Sequence, residues 1–229
     1  MTHLILACLA FLGTHFALSH PLRAPVVART GEQAFLGIYS LVAFATLGWM
    51  VFAYRAIPEQ PPLWAVGDGL WAVATVIMLL ASVLFVGSLL GNPALPNPGA
   101  TDDTPPAAAR GVFAITRHPM MWSFALWSLA HALVFPEAAN LVLVATIAFL
   151  ALVGARAQDM KKEALRPAFW RGWEAKTSYW PFAAVASWRA RLAGFRGHDI
   201  GGGLVIWLAA TWAHIPLTCW PAGIWKWIA

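Results

Sequence analysis

Residues 70–90 read LWAVATVIMLLASVLFVGSLL, with no charged residue among them. At the rise of an α-helix this stretch covers about 30 Å, the thickness of a bilayer's hydrocarbon core. Its apolar residues run in a block and do not alternate at strand spacing, so a membrane-crossing helix is the reading and a barrel is not. Working outward, five further apolar stretches lie at residues 4–18, 34–54, 120–135, 141–153 and 203–217. Those at 120–135 and 141–153 are short for a span and suit less tilt or a locally thinner bilayer.

Composition agrees. Hydrophobic residues make up 60% of the chain and charged residues 11%, against roughly 25% charged in a soluble domain. The expected fold is all-α, a polytopic bundle of about six spans forming a single domain over residues 1–229. Cys8 and Cys219 both lie in apolar sequence and give no disulfide framework.

The breaks between spans have local causes. His20-Pro21 ends the first, and Pro58, Pro61 and Pro62 part the second from the third. Residues 92–109, with five prolines and two aspartates, read as an irregular surface loop. Pro136-Glu137 forms a tight turn. Residues 161–176 read as a helix lying on the membrane surface, with Phe169, Trp170 and Trp173 dipping into lipid. No Lys or Arg precedes Arg23, so the first stretch lacks a signal peptide's basic leader and is expected to be retained.

The net charge is +5, and nine of the fifteen Lys/Arg fall between Arg156 and Arg196. Between apolar spans, such a cluster reads as a loop lying on anionic membrane lipid and not as a nucleic-acid interface. With Arg23, Arg29, Arg110 and Arg117 on the same side, the positive-inside rule puts the basic side in the cytoplasm and both termini outside.

Of the seven histidines, His15, His131 and His214 fall inside apolar stretches. An imidazole in hydrocarbon needs a partner, so each is a candidate functional residue, the plain alternative being an interhelical hydrogen bond. His15 and His131 sit on antiparallel spans, their rings separated in depth by about 8 Å. That offset permits both to bind one haem iron and does not require it. His20 with His118, and His3 with His214, are pairings at matching depths that stay open. A closed zinc site wants four ligands, and no pair here has Cys or acidic companions at metal spacing.

Thr116-Arg117-His118-Pro119-Met120-Met121 is the second informative stretch. Pro119 suits the first turn of a helix. Arg117 then sits at headgroup level, where it serves topology and lipid phosphate or clamps a cofactor's anionic group.

Several stretches carry a family resemblance. They are Phe11-Leu12-Gly13-Thr14-His15, Arg29-Thr30-Gly31-Glu32, Tyr39-Ser40-Leu41, Arg117-His118-Pro119-Met120, Trp127-Ser128-Leu129-Ala130-His131, Lys176-Thr177-Ser178 and Pro181-Phe182. In these the chain resembles the NnrU family of bacterial membrane proteins, which are associated with denitrification and nitric oxide metabolism. The same pattern is similar to that of the 15-cis-zeta-carotene isomerases, which carry haem b and act on an apolar polyene. Their ligand histidines correspond by motif to His15 and His131. A Cys three residues before the second histidine is replaced here by Ser128. More distantly, the Arg-His-Pro motif resembles the S-adenosylmethionine-dependent isoprenylcysteine and phospholipid methyltransferases, whose paired Glu-Glu is represented here only by Gln158-Asp159.

The resemblance implies a haem b-binding protein of the bacterial inner membrane, with His15 and His131 as axial ligands. Arg117, with Arg23 or Arg110, would hold the propionates at the cytoplasmic rim. It further implies isomerisation or redox chemistry on an apolar or gaseous small molecule, or else a sensor or accessory role in nitrogen-oxide reduction. Methyl transfer is the weaker implication.

Overall fold

The computed structural model describes residues 1–95 and 108–228. Most of the proline-rich connection expected at 92–109 therefore lies outside the described residues. Among those residues there is no strand. The helices are α1 (Thr2–Ser19), α2 (Arg23–Thr30), α3 (Glu32–Arg55), α4 (Asp68–Gly87), α5 (Val112–Ile115), α6 (Pro119–Val134), α7 (Ala138–Leu165), α8 (Pro167–Lys176) and α9 (Ala183–Ala186). A π-helical turn (His198–Gly202) then runs into α10 (Gly203–Thr218), followed by α11 (Trp225–Ile228).

Helices α1, α3, α4 and α7, and α10 with its π-turn, are long and apolar enough to cross a membrane. The sixth apolar helix, α6, has 16 residues, about 24 Å of rise. The protein is a helical membrane bundle. The short helix α2 was not apparent in the sequence. It ends at Gly31, whose φ of 81° is left-handed backbone that glycine adopts without steric cost.

The fifth span is longer than its apolar stretch. Helix α7 continues past residue 153 into the charged segment and ends at Leu165, 28 residues in all. The helix expected over residues 161–176 is thus split. Pro167 has no N–H and disfavours helical geometry at the residue before it. Arg166 accordingly leaves the helical region (φ −146°, ψ 68°), and α8 starts afresh with Pro167 in its first turn. Neither tryptophan of α8 reaches for lipid. Trp170 and Trp173 are 1% and 4% exposed and pack with Leu84, Val112 and Phe113.

The spans form a row in the order α3, α1, α7, α6, α4, α10. Leu4, Ala7, Cys8 and Phe11 of α1 meet Met50 and Ala53 of α3 and Ala139 of α7. The amino-terminal half of α1 therefore lies beside the start of α7, and the two run parallel. Helix α6 turns back tightly into α7, so α1 and α6 are antiparallel. At the far end of the row, Gly203 lets α10 approach α4 closely. A Cβ there would come within 2.7 Å of the Val83 backbone. The two ends of the row bury least: 11% of the α3 span and 17% of the α10 span, against 33% of α7.

The segment between α3 and α4 is fastened to the α6–α7 turn. Leu63 N–H donates to Pro136 O at 2.9 Å, Trp64 Nε1 to Leu133 O at 3.2 Å, and Ala139 N–H to Gln60 Oε1 at 2.9 Å. The opposite face of the bundle, at the other end of the helix axes, carries Arg23, Arg117, Lys161, Arg166 and Arg196, and is the basic end of the molecule.

Candidate functional site

His15, His131 and His214 lie in the interior of apolar helices, and each makes the same local contact. Nδ1 of His15, His131 and His214 lies 2.7, 2.8 and 2.8 Å from the carbonyls of Phe11, Trp127 and Ala210. Each carbonyl belongs to the preceding turn of the same helix. A carbonyl only accepts, so Nδ1 carries the hydrogen, and Nε2 of the neutral ring keeps its lone pair. This is the tautomer in which histidine ligates a metal through Nε2, its other nitrogen oriented by the backbone.

The three rings do not all converge. His131 is level with Asn140 of α7, whose amide donates to the His131 and Phe135 carbonyls at 3.2 and 2.6 Å. His15 adjoins Phe16, whose ring meets Phe149 of α7 edge-on at 6.2 Å. Residues 140 and 149 are about 13 Å apart along that helix. Helical side chains lean toward their own amino terminus. On antiparallel helices this tips the two rings toward each other and closes part of the gap. In the structure, His15 contacts Phe11 and Tyr39, with ring centres 4.2 and 5.5 Å away. His131 contacts Trp127 at 4.1 Å and His214 at 6.3 Å. The histidine that the fold brings to His131 is therefore His214. Among the described residues, no group of three or more His, Cys, Asp or Glu could hold a metal ion.

The Arg-His-Pro stretch forms a different kind of site. Arg117 is buried, and its Nε lies 2.9 and 3.0 Å from the two carboxylate oxygens of Asp159. Its Nη2 also donates to Asp159 and lies 3.0 Å from Glu174 Oε1. His118 is fully enclosed, and its Nε2 donates to Asp159 Oδ1 at 2.6 Å. Arg117 N–H donates to Ser178 O at 2.8 Å, and Thr116 Oγ1 to Tyr179 O at 2.8 Å. Trp122 Nε1 reaches Tyr179 O as well, at 2.9 Å, while the Tyr179 hydroxyl donates to Leu152 O at 2.7 Å. Residues 177–180 thus stitch the start of α6 to α7. Burial, and then the nearby Asp159 carboxylate, push the Tyr179 hydroxyl above its ordinary range.

The anion that Arg117 clamps is thus the protein's own. Asp159 and Glu174 neutralise it, as a buried charge requires. The other two expected anion-holding arginines lie elsewhere. Arg23 pairs with Glu32 at 2.6 Å and sits over the Phe35 ring, while Arg110 packs across Gly194. Sequence reading passed over Glu174 and weighed Asp159 only as half of a possible acidic pair. One signal for Asp159 was available: it is the first acid in a helix that begins as a membrane span, with an Arg-His pair elsewhere lacking a counter-ion.

A family model described as NnrU protein matches residues 3–222. No curated protein and no solved structure matches the chain.

Proposed function

The chain belongs to the NnrU family, and from that premise we propose that it binds haem b within the inner membrane through its intramembrane histidines. The observation that carries this reading is the shared Nδ1–carbonyl bond of His15, His131 and His214, which leaves three Nε2 atoms ready to ligate. With no group of three ligating side chains among the described residues, a macrocycle that brings four equatorial nitrogens fits a pair of histidines better than a bare ion does. His15 and His131 are the axial pair under the first reading. The ring contact at 6.3 Å favours a second, in which His214 takes the place of His15. Arg117 already pairs with Asp159 and Glu174 through Nε and Nη2, so any hold on the propionates would be shared with those carboxylates. The basic end faces the cytoplasm, and the setting is nitrogen-oxide metabolism. Bound haem would supply redox chemistry or a site for a small gas, and the chain's own part is to ligate it, orient it and exclude water.

Spectra of the protein in mild detergent, oxidised and reduced, with a pyridine haemochrome assay, test this. A Soret band with sharp reduced α and β bands is the expected result. His131→Ala should abolish it, and whichever of His15→Ala and His214→Ala matches that loss identifies the second ligand. Protein that stays haem-free when expressed with added precursor overturns the proposal.

A further inference from the structure

At the basic end, the last turn of α1, the start of α2 and the last turns of α7 enclose an open cleft of about 350 Å³. Ser19, His20, Arg23, Met160, Lys161 and Leu165 line it. Arg23 and Lys161 bring two fixed positive charges. Against them stands Glu32, paired to Arg23 at 2.6 Å. The Lys161 ammonium makes no hydrogen bond or ion pair among the described residues, whereas Lys162 next to it donates to Leu95 O at 3.0 Å. The cleft is therefore left with one uncompensated positive charge beside an imidazole and the Ser19 hydroxyl, whose present acceptor is the Tyr39 hydroxyl at a long 3.4 Å. Its flank is apolar and open, with Met160 64% and Leu165 55% exposed.

A site holding one unmatched cation, hydroxyl and N–H donors and an open apolar flank, at the end of membrane-crossing helices, fits an amphiphile with a singly charged oxyanion. We propose that this cleft binds the phosphate of an anionic phospholipid, with Lys161 and Arg23 on the phosphate oxygens and an acyl chain along Met160 and Leu165. Basic recesses between membrane helices recognise anionic headgroups in this way. The site does not depend on haem and is separate from the Arg117–Asp159 network.

Native mass spectrometry of the full chain, titrated separately with phosphatidylglycerol and phosphatidylcholine, tests it. Phosphatidylglycerol should bind at one site at least ten times more tightly than phosphatidylcholine. Lys161→Gln should weaken it about fivefold, as should Arg23→Gln, the change expected for one cation near the headgroup. Lys161→Arg should restore binding. Arg171→Gln, on a side chain 70% exposed outside the cleft, should leave binding unchanged. Equal binding of the two lipids overturns the proposal, as does an equal effect of Arg171→Gln, which would mean diffuse surface charge. Saturation by millimolar inorganic phosphate alone overturns it in favour of a soluble anion. Haem loss in Lys161→Gln with lipid binding unchanged overturns it in favour of a propionate pocket.

Discussion

Replacing Asp159 with Asn tests whether the buried charges at the basic end hold the helices together. The carboxylate is 2% exposed and serves two partners that are themselves buried, Arg117 at 7% and His118 at 1%. An amide keeps the shape and loses the charge. The ion pair of Arg117 is then left to Glu174, which is 29% exposed and partly screened by solvent, and the single amide oxygen can accept from Arg117 or from His118 while the NH2 group faces the other donor. Removing one partner from a buried ion pair costs about 3–5 kcal/mol. For a chain of this size that lowers the thermal midpoint by roughly 6–20 °C. Tryptophan fluorescence in detergent follows the transition, because Trp170 and Trp173 are packed beside the network. The double variant Arg117→Met/Asp159→Leu removes both charges and should recover most of the loss. Equal damage in the double variant and in Asp159→Asn, or a shift under about 2 °C in the latter, would refute the reasoning.

Gly203→Ala should destabilise by about 1–3 kcal/mol, because its Cβ meets the Val83 backbone. Gly13→Ala, which meets nothing within 4 Å, should be neutral or stabilise by up to about 1 kcal/mol; thermal melts of the pair separate the two. Trp170 Nε1 is buried without a partner among the described residues. Trp170→Phe should therefore change stability by less than about 1.5 kcal/mol, while Trp170→Ala should cost about 3–5 kcal/mol, again read from melting. Thr116→Val removes a buried hydroxyl that donates to Tyr179 O. It should cost about 1–3 kcal/mol and speed hydrogen exchange at the Arg117 amide.

The apolar spans were legible because uninterrupted hydrophobic length is a one-dimensional property. Helix ends were less so. The extension of α7 past residue 153 depends on Asp159, Lys161 and Lys162 finding partners or solvent at the bundle's end, which no local pattern reveals. Pro167 did mark the break between α7 and α8, and the reading of residues 161–176 as one helix overlooked it. Trp170 and Trp173 illustrate an ambiguity of kind. An indole among charges has the same sequence appearance whether it faces lipid or fills a core. The partner of Arg117 lay far along the chain, and a contact at that separation is written only in the fold. Likewise, the depth of His15 and His131 could be estimated from sequence, but the approach of His214 to His131 follows from α4 holding both α6 and α10.

The row of spans has a consequence for how the protein is made. Its spatial order is not the order of synthesis. When residue 137 leaves the ribosome, the bilayer holds two helical hairpins, α1 with α3 and α4 with α6. Helix α7, which packs on α1, α3 and α6, supplies the helix packing between them, and α10 comes last in the chain and packs on α4. Biogenesis thus hinges on one late segment. A chain stalled before residue 138 would leave two hairpins tethered by residues 56–67 and by the bonds of Leu63 and Trp64 to the end of α6, each without the helix packing that α7 supplies.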